Sequence, residues 1–199
     1  MLKRLAAAIT GALLLLSPAS AQTEAAQYDI VIRNGRLLDG AGNPWVLADV
    51  AIEDGRIALI GQVTGRGERE IDARGRYVSP GFIDMQDQSG EVLLRDGSAE
   101  NKLRMGVTTL IAGESGTPVE ADQLGGYFDE LERQGLAVNF GTYYAAAQAR
   151  VRVMGDRAGR PSRRQMARMR DEVETAMRAG VFGISTALIY PPQSFQSTE

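Results

Sequence analysis

The chain changes its hydrophobic pattern once, close to residue 80. Over residues 28–78 apolar and polar residues alternate with a period of two, which predicts the strands of a half-buried sheet. Two dipeptides that are typical of tight hairpin turns, Asn34-Gly35 and Asp54-Gly55, interrupt this pattern. We therefore predict that residues 22–79 form part of a small antiparallel β-sandwich module with a structural role.

Strands alternate with helices after residue 80. Four short apolar runs predict strands, over residues 81–85, 107–112, 137–144 and 181–188. Three stretches between them predict helices, over residues 98–105, 122–134 and 162–179. Predicted helix caps are Ser98, Gly135 and the Ser162–Gln165 capping box. The predicted core-facing stripe of the last helix is Met166, Met169, Val173 and Met177.

This alternation indicates an α/β fold with a parallel sheet. Residues 80–199 contain about four βα units, whereas a closed (β/α)8 barrel takes roughly 250 residues. We predict a partial (β/α)8 TIM-type barrel over residues 80–199, apparently truncated, in a chain that is the N-terminal part of a longer protein. The uncovered barrel edges would favour association or aggregation of the isolated chain.

The first 21 residues have the pattern of a secretory signal peptide. Lys3 and Arg4 precede an apolar run over residues 5–16, and Ala19-Ser20-Ala21 provides a small-residue cleavage site. We expect a periplasmic or secreted protein with no stable membrane anchor after cleavage. The remaining chain has 20 basic and 25 acidic residues, a net charge of −5, which argues against a nucleic-acid partner.

Composition excludes several chemistries. The chain has no histidine and no cysteine, so it has no Ser-His-Asp triad, no thiolate nucleophile and no imidazole or thiolate ligand for a metal. Lys102 is the one lysine that follows the predicted signal peptide. Lysine-based chemistry would fall on Lys102, but its charged surroundings predict a solvated helix surface.

Five segments stand in the order and at the spacing of one family. They are Arg33-Asn34-Gly35-Arg36, Asp54-Gly55-Arg56-Ile57, Pro80-Gly81-Phe82-Ile83-Asp84, Gly106-Val107-Thr108-Thr109 and Gly183-Ile184-Ser185-Thr186. Together they resemble the amidohydrolase superfamily, in its D-aminoacylase or N-acyl-D-amino-acid deacylase branch. The resemblance extends from Tyr28 to Glu199 and implies metal-assisted hydrolysis of linear amide C–N bonds.

The chain departs from this family at its metal positions. A His-x-His pair of the family's first barrel strand corresponds to Gln86 and Gln88, and a metal-binding Cys after the second strand corresponds to Ser115, which follows Glu114. No confident metal ligand remains at these positions. The chain is similar in this respect to a sub-branch of exported deacylase-like proteins with Gln-Ser after the first strand and Gly-Glu-x-Gly after the second.

Residues 84, 86 and 88 would share one side of the first strand, at the end where (β/α)8 barrels hold their active sites. We predict Glu114 as a catalytic group and Gln86, Gln88 and Tyr190 as substrate-binding groups. Asp87 would point away from the barrel mouth. Arg150 and Arg152 are weaker candidates, for a substrate carboxylate.

The resemblance also defines the expected partners. It implies a small-molecule amide substrate, of the N-acyl-D-amino acid type, and a divalent metal, zinc in the family, in the full-length protein. No metal is expected for this chain alone, which we predict to be inactive, because the family's catalytic Asp would lie beyond Glu199. Two alternatives stay open: a non-catalytic periplasmic binding protein on the same scaffold, and an inactive truncated gene product.

Overall fold

The structure is a computed structural model that describes residues 26–196. The chain divides into two compact units, of which the first ends at Ser79 and the second begins at Pro80. The predicted signal peptide, residues 1–21, lies outside the described residues. Over residues 26–196, none of the helices has the length and apolar character needed to cross a membrane.

The first unit contains a single five-stranded sheet. Its strands are β1 (Tyr28–Leu37), β2 (Val46–Glu53), β3 (Arg56–Gly61), β4 (Gly67–Asp72) and β5 (Tyr77–Val78). Their order is β3-β2-β1-β4, and β5 also pairs with β1. A small core of Val31, Ala51 and Val63 lies against the sheet, since alternate residues of a half-buried strand face one side.

Two predictions for this unit are wrong. The sheet is mixed, because β4 and β5 both run parallel to β1. Asn34-Gly35 does not form a hairpin: β1 continues through it, with a register shift between Ile32 and Gly35 and a φ of 57° at Asn34. Asp49 and Asp72 accept hydrogen bonds from Asn34, so the irregularity is held inside the strand as a bulge. The Asp54-Gly55 hairpin between β2 and β3 is confirmed.

The second unit alternates strands and helices. Its strands are β6 (Phe82–Asp84), β7 (Val107–Ala112), β8 (Asn139–Thr142), β9 (Tyr144–Ala145) and β10 (Ile184–Ser185). Its helices are α1 (Glu100–Arg104), α2 (Leu124–Gln134), α3 (Ala146–Met154) and α4 (Arg163–Arg178). Short 3-10 turns occupy Val92–Leu94, Ala121–Gln123 and Gln193–Phe195.

The strands of the second unit run parallel in chain order. β6 pairs with β7 and β7 pairs with β8. β9 continues β8 after Tyr143 and pairs with β10, and Phe182 N donates to Thr142 O at 2.9 Å just before β10. The predicted parallel α/β arrangement is therefore confirmed for these strands. Its core contains fully buried Leu110, Leu124 and Tyr144, contributed by two strands and one helix.

One helix cap, one strand and one helix differ from the prediction. Ser98 does not cap α1, because Ala99 is its N-cap and Ser98 N instead donates to Asp96. The last predicted strand shrinks to Ile184–Ser185, and α3 was not predicted, since its alanine-rich segment has little amphipathic pattern. The Ser162–Gln165 capping box and the Gly135 cap are confirmed.

The methionine stripe of α4 is only partly core. Met169 and Val173 pack against the core, whereas 44% of Met177 is exposed. Met166, Met169 and Val173 line a cavity of about 430 Å³. Ala149 of α3 also lines this cavity. The stripe therefore serves both as a packing face and as the lining of an open apolar cavity.

Gly113, directly after β7, should tolerate no side chain. Its φ is +84°, and an added Cβ would lie 2.1 Å from Tyr143 O. We expect Gly113→Ala to lower the free energy of unfolding by more than about 2 kcal/mol, because both strain and overlap with backbone oppose it. Urea unfolding measures this loss. Gly125→Ala is the control: this position of α2 is open, so alanine should raise stability by up to about 1 kcal/mol. Equal changes in the free energy of unfolding for the two variants would contradict this prediction.

Candidate functional site

Three of the predicted site residues meet in one hydrogen-bonded cluster. Gln86 Nε2 donates to Glu114 Oε1 at 2.8 Å, and Gln88 Nε2 donates to Glu114 Oε2 at 3.0 Å. Gln86 and Gln88 follow the end of β6, and Glu114 follows the end of β7. We call these three side chains the Gln–Glu–Gln cluster. Each carboxylate oxygen thus has its own amide donor, an arrangement that fixes the direction of all three side chains.

The loop that carries Glu114 is held from both sides. Gly116 N donates to Gly113 O at 3.1 Å, which closes a turn around Glu114 and Ser115. Ser185 Oγ, in β10, donates to the same Gly113 O at 2.6 Å. Glu114 is therefore positioned by backbone geometry and by a neighbouring strand, not by its own side chain alone.

A partly buried ionic network lies beside the cluster, at the end of β6. Lys102 Nζ, on α1, is 2.8 Å from Asp84 Oδ2 and 2.7 Å from Asp87 Oδ1. The side chain of Asp87 is only 1% exposed, and Ser89 donates to it from both backbone N and Oγ. The prediction that Lys102 lies on a solvated surface is therefore wrong, because 79% of its side chain is covered and it is paired twice. The signal for it was that Lys102 is the lone lysine after residue 21.

Hydrogen bonds within this network shift two pKa values. Lys102, and then the backbone N–H of Gln86, hold the pKa of Asp84 below its ordinary value of 3.8. Asp84, and then Asp87, hold the pKa of Lys102 above its ordinary value of 10.5. Asp84 thus contributes stability that is present above pH 3.8 and lost as the pH falls through its lowered pKa. Lys102 contributes stability that is present below pH 10.5 and lost as the pH rises through its raised pKa.

A pocket of about 240 Å³ opens beside Glu114. Gln88, Ser115, Thr117 and Thr142 contribute to its lining, so it is walled mainly by polar groups from the strand ends. Gln148 of α3 supports this wall, since its Oε1 accepts from Thr117 N at 3.0 Å and its Nε2 donates to Val119 O at 2.8 Å. The sequence patterns did not indicate this role for Gln148.

Other predicted residues take different places. Ser115 is exposed at the pocket. Tyr190 lies on the turn before Pro191, 62% exposed, and does not line the pocket beside Glu114. Arg150 is buried and donates to the carbonyl oxygens of Arg157 and Gly159, which is a structural role. Arg152 pairs with Glu120, Asp122 and Glu172.

The fold and the location of the cluster define a class of protein. Parallel strands alternate with helices, and polar side chains gather at the carboxyl ends of the first two strands of the second unit, next to a pocket. In α/β proteins with parallel strands, ligands bind at this edge, where the loops that follow the strands lie.

Comparison with known proteins identifies the relatives within this class. A D-aminoacylase of Alcaligenes xylosoxydans xylosoxydans is 31% identical over 200 residues, which cover 89% of this chain and 41% of the relative. A solved D-aminoacylase, studied for its binuclear metal centre, superposes with a TM-score of 0.78 at 28% identity, over 86% of this chain and 41% of that one. An N-acyl-D-glutamate deacylase of Bordetella bronchiseptica, solved with zinc and a phosphonate inhibitor, superposes with a TM-score of 0.74 at 28% identity. The superposition covers 85% of this chain and 40% of the deacylase.

The resemblance inferred from the sequence motifs is therefore confirmed. These relatives and structural neighbours are D-aminoacylases and N-acyl-D-glutamate deacylases, hydrolases of amide bonds in the amidohydrolase superfamily. The chain spans about two fifths of the length of the curated relatives it matches. No family model matches the chain.

The residues that the resemblance assigns to the family's metal positions do not fit zinc. A protein zinc site takes at least three nitrogen, sulfur or carboxylate ligands. Within residues 26–196 no group of three or more His, Cys, Asp or Glu side chains is arranged to hold a metal ion. The Gln–Glu–Gln cluster has one carboxylate, and both of its carboxamides direct N–H groups, which cannot coordinate a cation, toward that carboxylate.

Lys102→Met should destabilise the second unit strongly. The substitution keeps the length of the side chain but leaves Asp87 buried beside Asp84 without a cation, which costs about 3 kcal/mol when one partner of a buried ion pair is removed. Arg104→Met on the same helix is the matched control. The Arg104–Glu100 pair is 76% and 67% exposed, so its loss should cost less than about 0.5 kcal/mol. Urea unfolding of both variants would contradict the network's importance if the two losses were equal.

Proposed function

We propose that this chain is the N-terminal portion of an exported hydrolase that cleaves the linear amide bond of N-acyl-D-amino acids. The observation that carries the proposal is the match to D-aminoacylase, at a TM-score of 0.78, together with a polar cluster at the carboxyl ends of β6 and β7. The pattern of residues 1–21 supports export to the periplasm or the medium.

The proposal includes a (β/α)8 barrel that later sequence completes. Two features support it: the strands of the second unit lie in chain order, and apolar side chains on the edge strand β6 are exposed. Phe82 and Ile83 are 62% and 58% exposed, and a further layer of structure would cover them. The first unit would in the same way be part of a β-sandwich.

Glu114 is the proton-transfer group of this proposal. Each of its oxygens accepts one hydrogen bond and keeps a second lone pair, so it can accept a proton from the water that attacks the amide carbonyl. The same carboxyl group then returns that proton to the leaving amine nitrogen. Gln86 and Gln88 orient the carboxylate toward the pocket.

A second candidate function is a binding protein on the same scaffold. The observation that favours it is the replacement of the family's histidines and cysteine by Gln86, Gln88 and Ser115, which leaves recognition groups but removes metal ligands from this part of the site. In this case the pocket beside Glu114 would bind the N-acyl-D-amino acid without cleaving it.

The two functions differ in turnover. We expect the full-length protein to release free amino acid from N-acetyl-D-amino acids and not from their L enantiomers, as measured by amine detection. Glu114→Gln should lower kcat by about 10²- to 10⁴-fold, because it removes the group that accepts the proton. Glu130→Gln, in α2 and outside the lining of the pocket, is the matched control and should leave kcat unchanged.

Stoichiometric binding of the D substrate without release of amine would favour the binding protein. Neither binding nor release with any N-acyl-D-amino acid would contradict both functions. Full activity in Glu114→Gln would refute the role of Glu114 while leaving the substrate class standing.

A further inference from the structure

We propose that the Gln–Glu–Gln cluster replaces a metal ion as the link between the first two strands of the second unit. In the family that this chain resembles, metal is bound by ligands from the end of the first barrel strand and from the turn after the second barrel strand. In this chain the side chains at the end of β6 and in the turn after β7 are joined by hydrogen bonds. The proposal rests on the same resemblance as the proposed function but does not require turnover.

The geometry of the cluster accounts for the link. Gln86 and Gln88 follow β6, which ends at Asp84, and both of their side chains reach Glu114. Glu114 lies opposite them, and its two oxygens match the two amide donors at 2.8 and 3.0 Å. A carboxylate has two acceptor oxygens and no donor, so both carboxamides must present N–H to it.

This arrangement opposes a metal ion at the same place. A cation between the three side chains would need both amide oxygens to face it, so both carboxamides would have to rotate by half a turn. Both hydrogen bonds to Glu114 would then be lost. The cluster consists of one carboxylate and two neutral carboxamides, so one negative charge is all that it would offer a divalent ion.

The strand end beneath the cluster is fixed independently of any ion. Lys102 binds Asp84 and Asp87, the residues that flank Gln86 by two positions and one position. Asp84 Oδ1 also accepts from Gln86 N at 3.1 Å. Lys102 and the two carboxylates therefore hold the backbone that carries the two glutamines. No divalent cation is needed to organise this backbone.

Metal content of the full-length protein tests the proposal. After equilibration with Zn²⁺ and dialysis, we expect wild type and Glu114→Ala to hold the same number of Zn²⁺ ions per chain by elemental analysis. The double variant Gln86→His, Gln88→His should hold about one more, because it restores imidazole ligands to a strand end of the right geometry. Gln62→His with Gln134→His is the matched control, with two histidines outside the cluster, and should match wild type.

Two results would overturn the proposal. One is the loss of a Zn²⁺ ion in Glu114→Ala, since it would mean that the carboxylate binds metal in the wild type. The other is no gain in Gln86→His, Gln88→His, since it would mean that these positions no longer correspond to a metal site. If Glu114→Ala does not fold, the isosteric Glu114→Gln serves instead, because a carboxamide is a far weaker ligand for zinc. An inactive protein with the expected metal contents would refute the proposed function and leave this proposal intact.

Discussion

Parallel pairing of β6 with β7 is the constraint on which the candidate site depends. In a parallel sheet the carboxyl ends of neighbouring strands come to one edge, so residues far apart in sequence must meet there. Gln86 and Glu114 are separated by 28 positions and still lie within one hydrogen bond of each other. Leu110, fully buried in β7, anchors that pairing in the core. The polar chemistry at the strand ends is therefore a consequence of apolar packing below it.

Two layers of polar interaction follow from this constraint. The lower layer is ionic and largely covered: Lys102 from α1 holds Asp84 and Asp87. The upper layer is neutral apart from one carboxylate: Gln86 and Gln88 hold Glu114 at the edge of the pocket. The lower layer fixes the backbone, and the upper layer presents groups to a ligand. A chain that resembles metal-dependent deacylases thus keeps a defined strand end although the ligand types at that end have changed.

The sequence predicted the parts of this structure that local rules control. The presence of strands in the first unit, the Asp54-Gly55 hairpin, the Gly135 cap and the Ser162–Gln165 capping box all depend on neighbours in the chain, and all were found. The spacing of Gln86 and Gln88 and the turn at Glu114 also predicted residues that come together. The predictions that failed depend on tertiary contacts. Hydrogen bonds to Asp49 and Asp72 stabilise the bulge at Asn34. Ion pairs with Asp84 and Asp87 hold Lys102 in a partly covered position. Single-sequence patterns contain no information about such partners.

The central claim is that hydrogen bonds, and not a metal ion, join Gln86, Gln88 and Glu114. Anomalous diffraction at the zinc absorption edge, from crystals of the full-length protein grown with Zn²⁺, tests it most directly. We expect no anomalous peak among these three side chains, and we expect amide nitrogens within hydrogen-bond distance of both Glu114 oxygens. A peak at coordination distance from Glu114, with the carboxamide oxygens turned toward it, would contradict the account.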